Sequence, residues 1–360
     1  MQKIKITKDK NGMYHTRVFA SPDSDCKRLS KRITGYTERE VRRQAEDFID
    51  EMKRQPKAFK MTLREATAKY LDYQKNKKDP LSPATMRSYC GIARNHFASL
   101  QDTPIIDITE DMVQEEIYKL EFKVKAKTIH NIINFYVPCI RHSRRGFRPE
   151  LDLPVIKKPI TKVPDVEVLK SEINKIKNIR LRVPVLLASY CGMRRSEIAA
   201  LNLAQDIEFD KEVLFGDSAH RVCIIHITKA MVKDENNKYV IKDTKSDSGE
   251  RDLFAPAWLG EILKNTINDK KYKPYAPHQI TNAFGEFSEK HNIGCSFHGL
   301  RHFYASFMKA LNIPDNYAML LMGHSTDNML QRYQEIMSDK QLEVNRDLLV
   351  FLEKNAPNPQ

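Results

Sequence analysis

Hydrophobic positions along this chain change their period twice, and the changes divide it into three regions. Up to about residue 54 the pattern is short and alternating. Tyr14, Thr16 and Val18 alternate just beyond Asn11-Gly12, a dipeptide suited to a tight hairpin because both residues tolerate positive φ. A further strand fits Lys31 to Tyr36. Thr37-Glu38-Arg39-Glu40 then has the form of a capping box, and Val41, Ala45, Phe48 and Met52 recur behind it at helical spacing, so a helix is expected to about Lys53.

From about Thr62 to Arg148 the period is helical throughout. Thr62-Leu63-Arg64-Glu65 is a second capping box, Ser82-Pro83 offers a cap followed by proline at the first helical position, and Thr109 can cap a third helix. A fourth is expected from about Lys127 to Ser143. Prolines 149, 154, 159 and 164 follow; each removes a backbone donor and restricts its predecessor, which predicts a linker. Beyond it, a helical run from Val183 to Ala200 is interrupted at Gly192. Strands are expected at Val222 to Thr228 and Tyr239 to Ile241, and helices return from Pro277 to the end.

The predicted fold is therefore α+β and multidomain. A small N-terminal β-sheet plus helix occupies 1–56, an all-α helical bundle 60–148 and a linker 149–164. A mainly α domain with a small antiparallel β-sheet fills 165–360, closing in an amphipathic tail helix that carries Leu342, Leu348, Leu349 and Leu352. That helix can pack on its own domain or dock on a neighbouring protomer. The second use predicts that removing 341–360 weakens assembly without unfolding the domain.

Composition narrows the function. No segment approaches the roughly 18 uninterrupted apolar residues of a membrane span, and the first residues lack the apolar stretch of a secretory signal, so a cytoplasmic protein with no membrane partner is expected. Six cysteines, at positions 26, 90, 139, 191, 223 and 295, lie far apart without a CxxC pair and read as reduced thiols rather than a zinc or redox site. A net charge of +13 points to a polyanionic partner, because basic surfaces gain affinity by releasing counterions condensed on phosphates. The first 60 residues hold 16 Lys and Arg against 9 Asp and Glu, so nucleic-acid contact is expected to begin there.

Four short motifs in the last region carry the chemistry: Cys191-Gly192-Met193-Arg194-Arg195-Ser196-Glu197, Asp243-Thr244-Lys245-Ser246, His298-Gly299-Leu300-Arg301-His302, and Gly323-His324 with Tyr333 nine residues on. Singly they are weak; a His-x-x-Arg arises by chance about once in a chain this basic, and most tyrosines are packing residues. In this order, and with the apolar flanks Leu186-Leu187-Ala188-Ser189-Tyr190 and Leu320-Leu321-Met322, they resemble the tyrosine recombinase (phage integrase) family. Residues 62–148 are similar to that family's helical core-binding domain, and 1–54 to the three-stranded arm-binding domain of some integrases.

The resemblance implies a site-specific recombinase that cuts and rejoins double-stranded DNA through a phosphotyrosyl link at Tyr333. Arg194 and Arg301 clamp the scissile phosphate, since planar guanidinium forks match its non-bridging oxygens. His298 helps deprotonate Tyr333, Lys245 protonates the departing 5′ oxygen, and His324 hydrogen-bonds a non-bridging oxygen. No metal or other cofactor is implied. Core and arm-type DNA sites, a homo-tetramer on DNA and DNA-bending accessory proteins are the implied partners. Glu197 is expected to orient Arg194, and Arg195 to be solvated. Gly299 departs from the more usual acidic or polar residue, and Gln334-Glu335 from the Thr-His of many relatives. The alternatives are a type IB topoisomerase, which has no use for a basic N-terminal module, and a non-catalytic DNA-binding regulator, which has no use for the full set of basic residues with Tyr333.

Overall fold

A turn closed by Gly12 N–H on Asp9 O (3.1 Å) and Asp9 N–H on Met13 O (2.8 Å) begins the first sheet, with Gly12 at φ +83°. The computed structural model describes residues 4–10, 12–20, 29–54, 61–157, 166–215, 218–243, 250–269, 272–323 and 338–357. Asn11, Lys245, His324 and Tyr333 lie outside the described residues. The chain divides into two units, Met1–Lys157 and Lys158–Gln360.

In the first unit, β1 (Thr7–Lys8), β2 (Tyr14–Ala20) and β3 (Leu29–Gly35) form an antiparallel sheet in chain order. Period-2 alternation buries Thr16, Val18 and Ile33 against helix α1 (Glu38–Arg54), where Val41 and Ala45 meet them. The other face leaves Arg17 directly opposite Arg32, both exposed. At the start of α1, Thr37 Oγ1 accepts from Glu40 N–H (3.2 Å), but the Glu40 carboxylate reaches past the cap to Tyr36 N–H (3.3 Å).

The same unit holds α2 (Leu63–Asn76), α3 (Pro83–Asn95), α4 (Glu110–Glu121) and α5 (Ala126–Ser143). Thr62, Ser82 and Thr109 each accept a hydrogen bond from the first turn of the helix they cap, which satisfies donors with no partner inside the helix. Ile105, Ile117, Ile129, Phe135 and Tyr136 form a core separate from that of the sheet, with the Phe97 and Tyr136 rings stacked at 4.3 Å. The first half of the proline-rich stretch is bound to these helices. Gln114 and Asp152 exchange two hydrogen bonds (2.9 and 3.1 Å), Glu150 N–H donates to Glu110 (2.9 Å), and Leu151 and Leu153 pack on the core.

The second unit begins with α6 (Val166–Asn174), α7 (Ile179–Tyr190) and α8 (Arg195–Ala200). Strands β4 (Ile207–Phe215), β5 (Ser218–Ile227) and β8 (Arg251–Pro256) make one antiparallel sheet, while β6 (Lys229–Lys233) and β7 (Tyr239–Asp243) form a separate hairpin between β5 and β8 in sequence. Then come α9 (Ala257–Asn268), α10 (Pro277–Lys290), α11 (Phe297–Ala310), α12 (Asp315–Leu321) and α13 (Ser338–Lys354). Helix α9 approaches β5 at Cys223 through Gly260, whereas Val222 and Ile224 meet Leu349 of α13. Cover on both sides explains why β5 reads as an apolar run.

Helix α13 is packed on its own domain. Val344, Leu348, Leu349 and Leu352 are buried, Tyr190 Oη donates to Asn355 O just past the helix (3.0 Å), and the Phe351 and Phe307 rings meet edge to face at 4.9 Å. Such packing favours the first of the two uses expected of the tail. No helix among the described residues is long and apolar enough to cross a membrane.

Candidate active site

The motif around Arg194 is built by a turn that only glycine permits. Helix α7 ends at Tyr190; Gly192 sits at φ +62°, where a Cβ would overlap the ring of Tyr304, and Met193 N–H returns to Leu187 O (3.3 Å). Arg194 is thereby delivered to the N-cap of α8. Its backbone N–H donates to Glu197 Oε2 (2.8 Å) and its Nη1 to Glu197 Oε1 (2.6 Å), so Glu197 does orient Arg194, as its spacing predicts.

Glu197 is buried, 3% exposed, and also receives both terminal nitrogens of Arg251, at 2.9 and 3.3 Å. Burial alone would raise its pKa, yet the charge and hydrogen bonds of Arg251, followed by those of Arg194, hold it below the ordinary carboxylate value. The carboxylate therefore stays ionised and shared between two guanidiniums.

Helix α11 supplies the second arginine. Ser296 Oγ accepts from Gly299 N–H (3.3 Å) at its start, and Gly299 occupies a buried position of the first turn. His298 then faces outward, while Arg301, only 1% exposed, turns inward and donates to the carbonyls of Gly192 and Met322. Burial, with the charge of Arg194, pushes the Arg301 pKa down to about 9, which leaves it cationic at neutral pH. The His298 pKa is lowered by partial burial, then by His302, whose ring meets it edge-on at 4.9 Å, and then by Arg301, Arg194 and Arg195. Its imidazole is neutral at physiological pH and can accept a proton.

Three arginines from three segments finish on three successive carbonyls. Arg251 Nε donates to Leu321 O (2.9 Å), Arg301 to Met322 O, and Arg194 Nη2 to Gly323 O (2.7 Å). They lie at and just past the C-terminal end of α12, where carbonyls have no partner inside the helix and the negative end of its dipole falls. The residue next in the chain is His324.

Arg194, Arg301 and His298 open into one recess of about 430 Å³, whose wall also includes Arg195, Ser196 and Thr281. Arg195 is exposed, as expected of a solvated neighbour, and its Nη1 is also hydrogen-bonded to Thr281 Oγ1 (2.8 Å). Of the six predicted site residues, these three are brought together, and Lys245, His324 and Tyr333 lie outside the described residues. Sequence reasoning missed Arg251. The one available signal is a cation opening a strand that is otherwise apolar at Leu253 and Ala255.

A cationic recess with a neutral histidine, its arginines held by hydrogen bonds, can grip an anion such as a phosphodiester. The profile of the phage integrase family matches residues 163–339, which contain all four motifs. The chain belongs to that family and is a tyrosine recombinase, an enzyme that breaks and rejoins DNA strands. Solved structures share its fold. The Tn1549 transposon integrase in complex with a circular intermediate DNA is 17% identical, with a TM-score of 0.58 over 79% of this chain and 99% of that one. A lambda integrase dimer bound to a COC′ core site is 15% identical, with a TM-score of 0.54 over 94% of this chain and 97% of that one. No curated protein matches in a search by sequence.

Proposed function

We propose that the recess holds the scissile phosphate of a core DNA site, with Arg194 and Arg301 on its non-bridging oxygens and the Tyr333 hydroxyl as nucleophile. The observation that carries this reading is the convergence of Arg194, Arg301 and a neutral His298 on one cavity. The phenol of Tyr333, with an ordinary pKa near 10, needs a base or a positive field to react at neutral pH. His298 takes its proton as the Tyr333 oxygen forms a bond to phosphorus, and the bond from phosphorus to the 5′ oxygen breaks. Lys245 protonates that oxygen, and His324 donates to a non-bridging oxygen. The 3′-phosphotyrosyl ester keeps the energy of the broken bond, so attack by a 5′ hydroxyl rejoins the strand without ATP.

Residues 1–56 form the arm-type module in this proposal, with Arg17 and Arg32 facing a second class of DNA site. Residues 60–148 bind the core site, and 165–360 carry the chemistry. Four protomers assemble on two duplexes to exchange strands, with DNA-bending proteins as accessories. The neighbouring integrases were solved on DNA, and one lambda integrase structure, with a TM-score of 0.50, is a tetramer bound to a Holliday junction.

Tyr333→Phe tests the centre of this reading. It is expected to bind core-site DNA as the unaltered protein does and to form no covalent adduct on a nicked suicide substrate. A persistent adduct would move the nucleophile elsewhere. Adduct formation by the unaltered protein is expected to survive excess EDTA, and its loss would favour a carboxylate-bound metal instead.

A further inference from the structure

Arg251 is not among the residues that line the recess, yet it is tied to both sides of the site. Its side chain is 6% exposed. One end forms a two-pronged ion pair with Glu197, the same carboxylate that fixes Arg194, and its Nε holds Leu321 O, three residues before His324 in the chain. It also stands at the first position of β8, directly after the segment that contains Lys245. A single planar guanidinium thus joins the helix that presents one phosphate ligand to the helix end that leads to another, and it does so from the strand that follows a third.

We infer that Arg251 is a positioning residue for strand cleavage. It shares the charge of Glu197, so that Arg194 keeps its own for the phosphate, and it holds the end of α12, after which the chain continues to His324 and Tyr333. The inference rests on the phosphate site proposed above. Its physical basis is a competition for one carboxylate. With Arg251 present, Glu197 is divided between two cations; without it, the full negative charge, buried and two hydrogen bonds from Arg194, falls on the arginine that must meet the phosphate. Geometry matters as much as charge. Lysine supplies a cation but not a fork that spans Glu197 and Leu321 O together, so Arg251→Lys is not a silent exchange.

The experiment uses the full chain and three variants: Arg251→Lys, Arg251→Met and Arg251→Met with Glu197→Gln. Core-site binding is read by titration, folding by melting, and cleavage by single-turnover adduct formation on a suicide duplex. A second duplex carries a methylphosphonate at the scissile position, which removes the phosphate's charge without removing the phosphorus. Arg251→Met is expected to bind core DNA nearly normally and to cleave roughly 10- to 100-fold more slowly, the range seen when an outer partner of a functional group is removed. Arg251→Lys recovers part of the rate, and Glu197→Gln in the methionine background recovers part of it by discharging the carboxylate. On the methylphosphonate duplex the defect shrinks, because a neutral phosphorus centre asks less of Arg194.

A merely structural role gives a different pattern. The loss would then follow the melting temperature, and it would be equal on the charged and the neutral duplex. That equality, or cleavage by Arg251→Met at the normal rate, overturns the inference. Tyr333→Phe run beside it separates the two claims: an adduct in that variant sinks the phosphate-site proposal, whereas a silent Tyr333→Phe with an unaffected Arg251→Met sinks only the role of Arg251.

Discussion

Leu352→Ala asks whether the tail helix belongs to its own domain. Leu352 is fully buried on the last turns of α13, near Phe351, whose ring contacts Phe307 of α11. Truncating a leucine in a packed core removes transfer free energy and leaves a cavity, together costing about 2.7 to 5 kcal/mol. At about 2 to 4 °C per kcal/mol for a domain of this size, the midpoint of thermal unfolding should fall by roughly 5 to 20 °C. Deleting 341–360 removes Val344, Leu348, Leu349 and Leu352 together, each worth about 1.5 to 3 kcal/mol of burial. The sum, roughly 6 to 12 kcal/mol, rivals the whole stability of an ordinary domain, about 5 to 15 kcal/mol. The deletion should therefore collapse the calorimetric transition of the second unit, rather than spare it as a tail docked on a neighbour would allow. Calorimetry of the free protein and sedimentation on core DNA decide the matter. An unchanged melting transition combined with lost DNA-bound assembly would refute the packing argument and return α13 to a role between protomers.

Gly192→Ala should cost about 2 kcal/mol or more, since alanine pays for positive φ and its methyl group meets Tyr304; because Gly192 O also holds Arg301, adduct formation should fall further than stability does, and equal losses would argue against the coupling. His226, held by Asp252 (2.7 Å) and Glu208 (3.0 Å), has a pKa raised above 6.5, by the Asp252 hydrogen bond first. A raised folded value means that its contribution to stability is fully present below the unfolded pKa and is lost as pH rises through the folded one, so the difference in melting point between the natural protein and His226→Gln should narrow from pH 6 toward pH 8. Deleting 1–54 should abolish binding to a second class of DNA site and spare core cleavage; unaltered binding at every site would make the region structural.

What the chain reveals about itself is mostly what is local. Thr62, Ser82 and Thr109 announce their helices because a cap needs only the next three residues, and Arg194, Glu197, His298 and Arg301 are legible because each pair is spaced by one helical turn. Helix α9 was not legible: its N-cap is Pro256, which offers no side-chain cap. Strand β4 hides its alternation behind a bulge between Glu208 and Lys211, where Asp210 takes φ +56°. Arg251 escapes for a third reason. Its partners lie 54 and 70 residues away, and nothing in its neighbours tells a buried ion pair from a charge at a strand end. In the proline-rich stretch the prolines forbid a helix but not the hydrogen bonds that fasten 150–154 to α4 and α5, and those long-range bonds leave no local signal.

The small core of the N-terminal sheet sets how this region lives between encounters. Among the described residues it consists of Val18, Ile33, Val41 and Ala45 with a partly buried rim. Burial of such side chains returns about 1.5 to 3 kcal/mol each at most, while ordering the backbone costs about 1 to 2 kcal/mol for every residue of the three strands and α1. The module accordingly opens more cheaply than the helical core built on Phe135 and Tyr136, and its amides should be among the first to exchange with solvent deuterium. A polyanion laid across Arg17 and Arg32 adds its own binding free energy to that local equilibrium. Binding of such a polyanion and full ordering of this part of the chain would then be a single process.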